Sequence, residues 1–133
     1  MKRYLSSLLA LVLVVAIALT GCGNSGTGLN GNYRQDSLTL LNNLRTGIEL
    51  PQDSPKRKEL SELVRKQIND YASRYRRDTK VATLRSFTTM QTVLNSAAGY
   101  FSPSSYRRPV PEKLKKRLEQ EFRQIEFALK RGS

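Results

Sequence analysis

The sequence predicts an all-α fold, an antiparallel up-down four-helix bundle, and three observations carry that expectation. Four segments repeat apolar residues at steps of three and four. None of the 133 residues falls in a run with the period-two alternation of a strand. The connections are short for the most part and are marked by proline, glycine or aspartate, as antiparallel neighbours in a bundle require.

Two segments precede the bundle. Lys2 and Arg3 give a positive start, and Leu5 to Leu19 is an apolar run of about 15 residues, the length of a signal-peptide core and short for a spanning helix. The run ends in Leu19, Thr20, Gly21 and Cys22, an aliphatic residue, two small ones and a cysteine, which is the form of a lipoprotein signal box. Residues 1–21 are therefore expected to be cleaved, and Cys22 to become the lipid-bearing first residue. Residues 22–32 carry the lipid and continue as GNSGTGLNGN, which has no charge and no apolar period, and so predicts a flexible tether. Residues 33–133 form the bundle domain.

The first helix runs from Tyr33 to Leu50, with Leu38, Leu41, Leu44 and Ile48 inward and Asp36, Asn42, Arg45 and Glu49 elsewhere on the wheel. Pro51 and Asp53 interrupt it. Asp53 or Ser54 can cap a second helix, and Pro55 suits its first turn. That helix extends to about Arg77. Its inner stripe is Leu60, Val64, Ile68, Tyr71 and Tyr75, and its outer row, Lys58, Glu62, Lys66, Asp70 and Arg74, alternates in sign at four-residue steps. Asp78 caps a third helix over Thr79 to Ala98, whose inner face is Leu84, Phe87, Met90, Leu94 and Ala97. Its outer face has Ser86, Thr89, Thr92 and Ser96 where the other helices carry charge. Such a face can accept a partner closely without desolvating an ion, or can pack inside the bundle. Gly99 ends this helix, and Tyr100 to Pro109 is the longest connection, aromatic and basic. Pro111 opens the fourth helix, with Leu114, Leu118, Phe122, Ile125 and Leu129 inward, and Gly132 after its end.

Composition narrows the function. Removing residues 1–21 from 133 leaves 112, enough for one domain. The whole chain has 23 basic and 11 acidic residues, and losing Lys2 and Arg3 leaves 21 − 11 = +10, a surface suited to an anionic partner. There is no His, and the single Cys belongs to the signal box, so imidazole and thiolate catalysis, His/Cys metal sites and internal disulfides are excluded. Carboxylate or lysine chemistry has no supporting motif. The expectation is a protein that is not an enzyme and needs no cofactor.

The binding candidates are Arg74, Arg76, Arg77, Lys80 and Arg85 around the junction of helices two and three, and Arg107 and Arg108 beside Tyr106. Interleaved arginines and aromatics can hold a phosphate backbone or anchor a protein interface, and composition does not choose between them. Export does, since an exported lipoprotein meets acidic protein loops and anionic lipid rather than nucleic acid.

The strings NDYASRYRRD, LRSFTTMQTVLN and RRPVPEKLKKRLEQEF, together with the signal box, resemble the photosystem II lipoproteins of the Psb twenty-seven family, over nearly the whole mature chain. The resemblance implies a four-helix bundle, lipid-anchored on the lumenal side of the thylakoid membrane and monomeric by itself. It implies binding to photosystem II intermediates during assembly and repair. The partner implied is the lumenal loop of the inner antenna protein CP forty-three in complexes without a complete manganese cluster, from which extrinsic subunits are kept away. Arg74 to Arg77 and Arg85 to Gln91 are the positions that carry the distinctive strings. The competing reading is a general envelope lipoprotein whose basic face binds anionic lipid or cell-wall polymer.

Overall fold

A computed structural model describes residues 26–51, 53–103 and 108–133. They form α1 (Tyr33–Glu49), α2 (Pro55–Tyr75), a single-turn α3 (Thr79–Ala82), α4 (Arg85–Ala97) prolonged by a 3₁₀ turn (Ala98–Phe101), and α5 (Glu112–Arg131). No strand occurs among the described residues. The signal peptide, Cys22, Tyr106 and Arg107 lie outside them.

The apolar stripes close on one another as their spacing dictates. Leu41, Leu44 and Ile48 of α1, Val64, Tyr71 and Tyr75 of α2, and Phe87, Met90, Leu94 and Ala97 of α4 are buried. So are Leu118, Phe122, Ile125 and Leu129 of α5. Leu38, Leu60, Ile68, Leu84 and Leu114, expected in the same stripes, are half-buried at its border. α1 packs along α2, α4 along α5, and α1 also meets α5, while the 3₁₀ turn closes against α2. Neighbours run antiparallel: Tyr33 at the start of α1 meets Tyr75 at the end of α2 edge-on, with ring centres 5.3 Å apart. At the other end Arg57, in the first turn of α2, donates to the carbonyl of Leu50 just past α1.

Caps and close approaches fix the connections. Asn32 accepts from the Gln35 amide at the start of α1. Ser54 occupies the N-cap of α2, ahead of Pro55. Gly132 takes the left-handed conformation, φ 76°, that ends α5. Gly47 leaves room for Phe101 of the 3₁₀ turn, since a Cβ there would stand 2.5 Å from its ring.

Several expectations need correction. The third helix is broken, because the Asp78 side chain caps a separate turn at Lys80 and the chain is extended again at Leu84, φ −73° and ψ 140°. The break puts Val81 into the core and brings the Ser86 amide to the carbonyl of Ser133. Ser86 is accordingly buried rather than part of an outer uncharged face, and its hydroxyl meets that of Tyr33. Thr88, Thr92 and Ser96 turn their hydroxyls back to the carbonyls four residues earlier, which satisfies them within α4.

The tether residues from Gly26 onward pack on the bundle. Leu29 is fully buried and Thr27 nearly so. The Thr27 hydroxyl donates to Asp70 at 2.5 Å, and Gln67 donates to the Thr27 carbonyl at 2.8 Å while accepting from Asn43 of α1. Residues 26–32 are thus a strap in the groove between α1 and α2, and the folded unit begins before residue 33. The strap turns into α1 at Gly31, whose φ of 93° favours glycine. There the amides of Asn30 and Gly31 donate to Asp36 at 2.8 and 3.0 Å. Asp36, expected away from the apolar stripe, is buried, and it also accepts from the Tyr75 hydroxyl at 2.5 Å. Of the alternating row on α2, the pair Asp70–Arg74 forms, at 2.8 Å.

Candidate functional site

An even number of antiparallel helices brings the start of the first and the end of the last to the same side of the bundle. Here that side also holds the end of α2 and the start of α4, as three contacts establish. Tyr33 packs on Tyr71 and Tyr75, the Tyr33 hydroxyl meets Ser86, and the Ser86 amide bonds to Ser133. The rings of Tyr71 and Tyr75, 5.0 Å apart, and of Phe87, 6.2 Å from Tyr71, form a rigid floor under this end. Burial is the main cause pushing both tyrosine hydroxyls far above their ordinary range, with the Asp36 carboxylate adding to the effect at Tyr75.

Cations crown this floor. Arg76 and Arg77 leave the end of α2 exposed, and Lys80 and Arg85 follow on α3 and the first turn of α4, also exposed. Three more that the candidate set lacked join them: Arg34 from the first turn of α1, and Lys130 and Arg131 from the last turn of α5. Periodicity within one helix could not have found them, whereas the up-down topology could. The acidic residues of this end are already occupied. Asp36 is buried in its hydrogen bonds, Asp70 holds Thr27 and Arg74, and Asp78 caps α3. Phe127 is 58% exposed, and the Arg131 guanidinium lies over its ring at 4.3 Å, an aromatic–arginine pair of the kind that anchors interfaces.

The candidates separate accordingly. Arg74 is at this end but is committed to the fold: it pairs with Asp70 and reaches the Leu29 carbonyl at 3.5 Å. The hydrogen bond to Asp70 raises its pKa. Arg108 belongs to the opposite end, where its guanidinium lies 4.5 Å over the Tyr100 ring and its carbonyl accepts from buried Arg57. The two basic groups of the sequence are therefore not one surface. What remains at the first end, Arg34, Arg76, Arg77, Lys80, Arg85, Lys130 and Arg131, is a group of exposed cations. Such a group steers and holds an anionic partner at distances up to about a Debye length of 8–10 Å in salt. Among the described residues no group of acidic or sulfur side chains converges as a metal site would require, and no helix is long and apolar enough to cross a membrane.

The sequence matches the family described as Photosystem II Pbs27 over residues 4–129. The chain belongs to that family. Its relatives include the photosystem II lipoprotein Psb27 of Synechocystis, strain PCC 6803, 60% identical over 132 residues that make up 99% of this chain and 97% of that one. The photosystem II assembly factor lipoprotein Psb27 of Thermosynechococcus vestitus is 51% identical over 98% of this chain and 97% of its own. Among solved structures, the solution structure of Psb27 from cyanobacterial photosystem II superposes with a TM-score of 0.71 at 58% identity, covering 80% of this chain and 92% of that one. The all-α expectation and the family resemblance drawn from the sequence both hold.

Proposed function

We propose that this chain is a photosystem II assembly and repair factor that works by binding rather than by catalysis. The observation that carries the reading is the basic end of the bundle in a member of this family, a rigid surface whose carboxylates are already engaged while its arginines and lysines are exposed. The relative from Thermosynechococcus vestitus is named an assembly factor lipoprotein of photosystem II, and it aligns with 98% of this chain.

In this reading Cys22 carries the lipid that holds the chain on the lumenal side of the thylakoid membrane. Two or more acyl chains are enough for stable residence. The basic end then meets an acidic lumenal loop, that of the inner antenna protein CP forty-three, in intermediates that lack a complete manganese cluster. Occupying the loop keeps extrinsic subunits off until assembly is ready for them. Membrane residence raises the local concentration of the bundle, and complementary charge sets the choice of partner. Arg76, Arg77, Lys80 and Arg85 are the contacts from the original candidate set, with Arg34, Lys130 and Arg131 added by the fold.

The test is binding of the mature protein to photosystem II depleted of its manganese cluster. Replacing Arg34, Arg85 and Lys130 together by Glu is expected to weaken binding at least tenfold, about 1.4 kcal/mol, and to flatten its salt dependence. Arg108→Glu, at the other end, is expected to leave binding unchanged. Undiminished binding by the triple variant refutes the assignment of the basic end.

A further inference from the structure

The strap sets where the lipid-bearing part of the chain leaves the bundle. Its direction follows from its contacts. Gly31 meets Asp36 at the start of α1, the Leu29 carbonyl meets Arg74, and Thr27 meets Asp70 and Gln67. From α1 outward toward its beginning, the strap thus runs back along α2, away from the basic end. At 1.5 Å per residue, Gln67 lies about 12 Å along the axis from the end of α2 at Tyr75. The chain leaves the bundle at its side, between α1 and α2, rather than at either tip.

From Gly26 back to Cys22 there are four residue steps, and covalent geometry limits them to about 14 Å even when fully extended. A helix with its side chains is about 10 Å across, so a bundle held within that reach cannot turn every face to the bilayer. The face nearest the exit is also suited to lie against it. On α1, Gln35, Asn42 and Thr46 are exposed and uncharged. The charged residue between Asp36 and Glu49 is Arg45, and it is turned away toward Glu119 and Glu126 of α5. On α2, Lys66 is exposed, one turn before Asp70. Asp70 itself is held by Thr27 and Arg74. Around the exit the flank therefore presents neutral side chains with Lys66 beside them, and its exposed carboxylates, Glu49, Glu59 and Glu62, lie toward the end away from the basic one.

We infer that the docked strap lays the α1–α2 flank of the bundle against the membrane surface, with anionic lipid headgroups meeting Lys66. The bundle axis then lies along the bilayer, and the basic end faces sideways, at the level of whatever stands in the same membrane. The inference rests on lipid attachment at Cys22. It replaces a free swivel with a fixed posture.

The test uses the full mature lipidated protein on vesicles of phosphatidylcholine and phosphatidylglycerol that contain a lipid with a nitroxide quencher on its headgroup. A fluorophore is placed at Asn42→Cys, on the flank, or at Gln124→Cys, exposed on α5 on the side away from the Arg45 pairs. The expected result is several-fold stronger quenching at position 42 than at 124. Inserting about six Gly/Ser residues between Ser25 and Gly26 adds up to ~20 Å of reach without touching the fold. That insertion is expected to bring the two signals together while the protein still floats with the vesicles. Equal quenching at both positions in the uninserted protein, with flotation retained, overturns the posture alone. Failure to float overturns the lipid attachment and the posture with it.

Discussion

Replacing Asp36 by Ala tests whether one buried carboxylate joins the strap, α1 and α2. In the native fold it accepts from the amides of Asn30 and Gly31 at 2.8 and 3.0 Å and from the Tyr75 hydroxyl at 2.5 Å. Hydrogen bonds to a charged acceptor contribute about 1.5–3 kcal/mol each. The three do not count equally, because Asn30 and Gly31 are exposed, and their amides regain water when the carboxylate is gone. The hydroxyl of Tyr75, a residue 4% exposed, does not regain it, and leaving it unsatisfied costs about 1–3 kcal/mol. The expected loss is about 3–5 kcal/mol out of the roughly 5–15 typical of a domain, so the variant should still fold. Urea unfolding followed by circular dichroism at 222 nm measures the loss. Amide exchange at Asn30 and Gly31 shows where it arises, and both should speed up by more than the global change. A loss below about 1 kcal/mol, with exchange at the two amides unaltered, would refute the reasoning.

Two further outcomes follow from the packing. Tyr71 and Tyr75 are pushed above the ordinary 10.0, so the fold favours the neutral phenol at both. Their contribution is complete below pH 10 and is lost as the pH rises above it toward the raised folded-state values. Phenolate absorbance near 295 nm should therefore rise in two phases, the second coinciding with loss of helical signal. A single phase, complete before unfolding, would contradict the buried cluster. Gly47→Ala places a methyl group 2.5 Å from the native position of the Phe101 ring, an overpacking expected to cost about 1–3 kcal/mol and to lower Tm. Unchanged calorimetric melting would mean that the 3₁₀ turn yields freely.

The long stripes of α1, α2 and α5 were legible because each repeats over many turns, and a buried face of that length has few other solutions. The strap was not. Gly-rich composition reads as coil, and one leucine, Leu29, carries no period, yet its pocket forms only once α1 and α2 are side by side. Asp36 failed for a related reason: a carboxylate reads as solvated, and its hydroxyl partner stands 39 residues away. Arg57 is buried through backbone carbonyls at Leu50 and Arg108, partners that side-chain patterns cannot signal. At the basic end, Arg76, Arg77, Lys80 and Arg85 are adjacent in sequence and could be grouped at once. Arg34, Lys130 and Arg131 required the topology, and the separation of Arg108 required its three-dimensional position.

The bond from the Ser86 amide to the Ser133 carbonyl bears on how this protein can be handled. Anything fused after Ser133 would emerge among Arg34, Arg85 and Lys130, and a bulky or acidic extension there would screen the cations a partner has to reach. An affinity handle at that position could abolish capture of the very complex it was meant to retrieve. An internal position on the exposed side of α4, such as Asn95, keeps a handle away from that end and from the strap.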